Sequence, residues 1–203
     1  MALIPVDDGQ IATVVTHLEM VTRPRPSPLL SSPLRLARWK APDPAKYRLL
    51  FRRVGEPWLW FSRLVLDDAA LASITSDERV EIYAVLDPRG IEVGLLELDF
   101  RPERCCDIAF LALVPQLTGQ GLGGWLMRQA LMLGWRKGVE KMAVRTCTLD
   151  DPRALAFYIK AGFVPVRREI EIFDDPRARG WLASDAAPHV PYLAPTGTDQ
   201  AES

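Results

Sequence analysis

Apolar residues change their spacing several times along this chain of 203 residues, and each change predicts an element. Ile11 to Met20 is rich in β-branched residues and reads as a first strand. Thr22 to Pro33 crowds prolines and serines together and reads as a loop. Leu34 to Trp39 forms a second short strand. Asp43-Pro44 then supplies an N-cap and a first-turn proline for a helix that runs through Arg53 and stops at Gly55. Trp58, Leu59, Trp60 and Phe61 form an aromatic cluster fit for a core or a pocket wall. A short helix from Asp67 to Thr75 precedes a strand at Val80 to Leu86. Asp87-Pro88-Arg89-Gly90 is a tight turn, and Ile91 to Phe100 completes a hairpin.

Downstream the pattern alternates strand, helix, strand, helix, strand. Asp107 to Val114 is a nearly continuous apolar run, as in a strand covered on both faces. Gly121 to Lys137 sets Leu122, Leu126, Ala130 and Leu133 on one helical stripe, with Arg136 and Lys137 in the last turn and Gly138 as C-cap. Met142 to Leu149 reads as a strand. Asp151-Pro152 opens a helix that Gly162 ends, and Phe163 to Phe173 returns to the sheet. The expected organisation is one α/β domain of α+β type over residues 1–185. Its two halves are 11–100 and 101–173, and 186–203 would be a loosely held tail.

Composition narrows the function. The 25 basic and 26 acidic residues nearly cancel, so no charge footprint points to nucleic acid or an anionic membrane. No apolar run approaches the roughly 20 residues of a membrane helix, and the first ten residues lack a secretory pattern, so a cytoplasmic protein is expected. Cys105, Cys106 and Cys147 have no metal-ligand spacing and read as reduced thiols packed in strands, so no metal is expected.

The sharpest chemical feature is Pro115 to Gly124, a glycine-rich turn from an apolar strand into an amphipathic helix. Glycines let backbone approach a ligand closely, and the exposed N–H groups of a helix start suit a pyrophosphate. Gly119, Gly121 and Gly124 also satisfy G-x-G-x-x-G, but a dinucleotide fold needs an acidic residue at the end of the next strand, where Thr146-Cys147-Thr148 stands instead. The residues after it are also too few for the second half of such a sheet.

At these residues the sequence resembles the GCN5-related N-acetyltransferase family, whose phosphate signature is Q/R-x-x-G-x-G/A followed by a helix. One register takes Thr118-Gly119-Gln120-Gly121-Leu122-Gly123, with Thr118 where the family usually has Arg or Gln; another begins at Gln116. Asp151 to Phe163 is similar to the family's A-x-x-x-Y-x-K-x-G-F helix. The resemblance covers Val80 to Arg168 well and extends loosely upstream to Ile11, in the form of a bacterial subgroup.

The resemblance implies a mixed, mostly antiparallel sheet flanked by helices and splayed at the strand before the loop. It implies acetyl-CoA as cosubstrate, bound by Leu113, Val114, Thr118, Gly119, Gln120, Gly121, Leu122, Gly123, Gly124, Tyr158 and Lys160. It implies transfer of acetyl to a primary amine of a small molecule or peptide by direct attack, with Tyr158 as general acid. Asp107 or Glu97 would be the base; His17 and Glu19 rank lower. Cys147 lacks a histidine partner for a covalent route. A homodimer fits the family. Two other classes are a CoA-binding regulatory module that has lost catalysis and an interaction protein using its Trp-rich surface.

Overall fold

The computed structural model describes residues 3–25 and 31–195, so part of the expected Thr22 to Pro33 loop and the last eight residues of the tail lie outside the described residues. The elements are β1 (Gln10–Met20), β2 (Arg35–Trp39), α1 (Pro44–Gly55), α2 (Asp68–Thr75), β3 (Val80–Leu86), β4 (Glu92–Asp99), β5 (Cys105–Leu113), α3 (Leu122–Gly134), β6 (Lys141–Cys147), α4 (Ala154–Ala161) and β7 (Val164–Asp174). Local chemistry accounts for most boundaries. Asp43 accepts from the Ala45 and Lys46 amides ahead of Pro44, and Asp67 accepts from the Ala70 amide, so α1 and α2 both start on a capping carboxylate. Gly162, at φ 104°, closes α4 in the left-handed conformation.

The strands form one seven-stranded sheet in the order β2-β3-β4-β5-β6-β1-β7. All neighbours are antiparallel except β5 and β6, which run parallel. One face buries Leu96, Leu98, Ile108 and Val144 under Leu126, Ala130 and Tyr158 of α3 and α4. The opposite face buries Ile82, Ala84 and Leu95 under Tyr47, Phe51 and Leu71 of α1 and α2. The mixed sheet flanked by helices is the fold expected from the sequence.

Two irregularities position the site. The parallel pairing joins Cys105–Ile108 to Lys141–Val144 and goes no further, so Ala109–Leu113 and Arg145–Cys147 diverge and open a V-shaped gap. Leu98 pairs with Ile108 while Glu97 pairs with Phe110, which leaves Ala109 as an extra, bulged residue at the apex of that V.

Several expected boundaries moved. The third helix ends at Gly134, not Lys137: Trp135 leaves helical dihedrals and turns its ring into the core. A Cβ at Gly134 would collide with the Met142 side chain, so this glycine lets the helix end lie close on the sheet. α4 starts at Ala154, one turn after Asp151, whose carboxylate accepts from the Arg153 amide. The tail differs from expectation as far as residue 195. Ala186 and Ala187 are buried with Leu59, Leu149 and Leu182. Arg177 donates to the carbonyls of Ala186, Val190 and Pro191 while paired with Asp175, both side chains being almost fully buried. No helix among the described residues is long and apolar enough to cross a membrane.

Candidate functional site

A cavity of about 470 Å³ runs from the glycine turn through the V between β5 and β6 to the opposite face of the sheet. At its helix end, Pro115–Leu117 makes a single 3-10 turn, and the chain then passes Gly119 (φ 83°) and Gly121 (φ 76°) into α3. Gly121 is the N-cap and brings no side-chain oxygen to the helix start; the Gly124 amide donates to the Gly121 carbonyl, which leaves the Leu122 and Gly123 amides for a ligand anion. Both glycines are in the left-handed region and a Cβ on either would meet nothing, so backbone conformation demands them, not crowding.

Of the residues expected at the cofactor, Leu113, Thr118, Gly119, Gly121, Gly123, Gly124 and Tyr158 line the cavity. Four others do not. The Val114 amide donates to the Val93 carbonyl and its own carbonyl accepts from Leu117, so this backbone is closed off by β4 and the 3-10 turn. Gln120 turns away and its amide donates to the Gln116 carbonyl. Leu122 packs into the helix-side core. Lys160 is exposed on the outer face of α4.

Tyr158 projects from α4 into the cavity beside Phe157 and Phe163. Burial raises the pKa of its phenol, with the Asp150 and Asp107 charges adding to the rise, so it holds its proton at neutral pH. Asp150 is a cavity residue that the sequence reading missed. Its carboxylate accepts from Trp60 Nε1 (3.1 Å), Thr146 Oγ1 (2.7 Å) and the Cys147 amide (3.0 Å), and so ties the aromatic segment to the end of β6. Its only sequence signal is a place in the turn after a strand. Cys147 also lines the cavity, but burial, then the Asp150 charge, raise its thiol pKa, which disfavours a nucleophilic thiolate.

The structure separates the two base candidates. Glu97 is 1% exposed, accepts from Tyr47 Oη (2.5 Å) and is ion-paired with Arg63 (2.7 Å) beneath Phe110. Neither Glu97 nor Asp107 is among the residues lining the cavity; what separates them is that the Glu97 carboxylate is held by Tyr47 and Arg63. Asp107 sits one residue before the strands separate, on the face away from α3 and α4. Burial raises its pKa, partly opposed by Arg145, and among the described residues no side chain hydrogen-bonds its carboxylate. His17 bonds Glu169 (2.7 Å), and Glu19 is paired with Lys141.

On this second face Thr13, Val15, Phe61, Arg145, Glu171 and Phe173 surround the mouth. Trp58, Trp60 and Phe61 belong to a segment that crosses the sheet as a strap, with Phe61 stacked on Trp181 (5.7 Å) and Trp58 against His189 (5.9 Å). These rings are cavity wall and not an exposed interaction patch. Among the described residues no three His, Cys, Asp or Glu side chains converge as a metal ligand set.

A family model described as acetyltransferase (GNAT) family matches residues 40–163. No curated protein matches. Among solved structures, a GCN5-related N-acetyltransferase from Sphaerobacter thermophilus superposes with a TM-score of 0.61 at 15% identity, over 80% of this chain and 52% of that one. A functionally unknown conserved protein from Staphylococcus epidermidis gives 0.54 at 12%, over 82% and 63%. An aminoglycoside acetyltransferase from an uncultured soil metagenomic sample gives 0.51 at 23%, over 64% and 88%. The chain thus spans between half and two thirds of the length of the first two, and at these identities the likeness is one of fold.

Proposed function

The chain belongs to the acetyltransferase (GNAT) family, and from that premise we propose that it transfers the acetyl group of acetyl-CoA to a primary amine by direct attack. The observation that carries this reading is the continuity of one cavity from an uncapped helix start, through the split between β5 and β6, to Tyr158 and the acceptor-side mouth. The α3 amides and the turn glycines would hold the pyrophosphate. The unpaired edge of Ala109–Leu113 would hydrogen-bond the pantetheine amides as an added strand.

The thioester carbonyl would then lie at the bulge around Ala109, where a fixed backbone N–H stabilises the oxyanion. As the amine nitrogen bonds to the acetyl carbon and the C–S bond breaks, Tyr158 passes its proton to the departing thiolate. Asp107, through a water, takes the proton that the amine must lose. Three unpaired cysteines suit a reducing compartment, in keeping with a cytoplasmic enzyme.

The test is Tyr158→Phe. The account expects acetyl-CoA affinity within a few-fold of wild type and a turnover lower by about 100-fold or more, the range of a lost general acid. Unchanged turnover with a competent amine would remove Tyr158 from the chemistry. Binding of acetyl-CoA with no transfer to any amine in a broad panel would favour the non-catalytic CoA-binding module.

A further inference from the structure

Five charged side chains line the cavity, and three of them are already answered: Asp150 by Trp60, Thr146 and the Cys147 amide, and Asp151 and Arg153 by each other. Arg145 and Glu171 are left, and among the described residues neither side chain has a hydrogen bond or an ion pair. Arg145 stands just past the last pair of the parallel ladder, Ile108 with Val144, and so across the opening V from Ala109. Val144 and Thr146 on either side of it are buried and Val144 packs under α3 and α4, so alternation sends the exposed Arg145 to the opposite face. Asp107 lies on that face too, and the Arg145 charge partly opposes the rise in its pKa. His17, in register with Arg145 on β1, is turned to Glu169. An unpaired guanidinium therefore stands near the carboxylate assigned to take the proton of the amine. Val15, Phe61 and Phe173 make the rest of the mouth apolar and aromatic. Glu171 is in register with Thr13, one full turn of the pleat beyond Val15, so the two unpaired charges occupy opposite ends of this mouth.

We propose that the acceptor is an α-amino acid with a large apolar side chain, and that Arg145 selects it by binding its carboxylate. The guanidinium fork matches the two oxygens of a carboxylate, and in an α-amino acid that group is one carbon away from the reacting amine. With the carboxylate on Arg145, the amine lies at the opening of the V and the side chain runs along Phe61 and Phe173. Glu171, at the far end, disfavours an acidic side chain. This inference rests on the proposed acetyl transfer, which sets the amine beside Asp107. Arg145 here determines specificity and takes no part in making or breaking bonds.

Calorimetric titration of the full chain, in excess CoA, with L-phenylalanine and with 2-phenylethylamine tests it, since the second probe keeps the ring and the amine and lacks the carboxylate. L-Phenylalanine should bind more tightly by about 10-fold or more, the range of a hydrogen bond to a charged group. It should also bind more tightly than L-glutamate. Arg145→Met should erase the preference over 2-phenylethylamine with circular dichroism unchanged, because the side chain removed is exposed and unpaired. Equal binding of the two probes, no binding of L-phenylalanine, or a preference that survives Arg145→Met overturns the proposal. Thiol release from acetyl-CoA with the same probes separates this inference from the transfer it rests on. L-Phenylalanine that binds through Arg145 and is not acetylated sinks the transfer and leaves the recognition standing. Turnover that Arg145→Met lowers equally for both probes overturns the recognition and puts Arg145 in the chemistry.

Discussion

Glu97 and Asp107 lie on adjacent strands of one sheet and differ in what surrounds them. Glu97 is answered by Tyr47 and Arg63, while Asp107 is partly desolvated and has no side-chain hydrogen-bond partner among the described residues. The same carboxylate chemistry therefore serves structure at one position and is spare at the other. A folded-state pKa raised above the unfolded value means that Asp107 contributes stability only at low pH, and that this is lost as pH rises through the folded pKa. Asp107→Asn should accordingly melt at a higher temperature than wild type at pH 7. If Asp107 is the base, the same substitution should abolish the acidic limb of the kcat/KM profile, which in wild type falls as pH drops through a value above the ordinary carboxylate range. A destabilised variant with an unaltered pH profile would assign Asp107 to the framework.

The strap and the C-terminal segment behave as one element. Arg177 is buried against Asp175 and binds three carbonyls of residues 186–191, which places His189 on Trp58 and Leu182 near Leu59. The strap in turn walls the cavity. Arg177→Met leaves the Asp175 carboxylate buried and unpaired, a loss of about 3–5 kcal/mol by analogy with broken buried pairs. The account expects a lower melting temperature and, below it, a raised KM for the amine with acetyl-CoA affinity little changed. Equal weakening of both ligands would mean the segment supports the whole fold and not the acceptor wall. None of this was legible in the sequence. The periodic stretches declared themselves: every strand and helix appeared near its expected place, and the glycine turn lies where the sequence put it, between β5 and α3. The tail did not, because a proline- and alanine-rich segment held by one arginine has no period to detect. Asp150 was hidden for a similar reason, since its partners Trp60 and Thr146 lie far apart or without pattern in the chain.

At the scale of the molecule the first strand belongs to the last part of the sheet. β1 lies between β6 and β7 and is hydrogen-bonded to both, although β2, the next strand in sequence, lies at the opposite edge. Adjacency in sequence gave no hint of this, and it makes the cavity mouth on the face away from α3 and α4 depend on Thr13 and Val15. Deleting residues 1–20 should therefore yield insoluble or molten protein, read as loss of the cooperative melt; a shortened chain that still melts cooperatively would show that β6 and β7 can close on each other. The central claim is that the split sheet and the uncapped α3 form an acetyl-CoA site. Calorimetric titration of acetyl-CoA into wild type and into Gly121→Glu tests it most directly. The substitution forces a side chain into a left-handed residue and sets a carboxylate where the pyrophosphate would lie. The account predicts one-to-one binding to wild type and none to the variant, with circular dichroism showing both folded. Absence of binding to wild type, or equal binding to both, would contradict it.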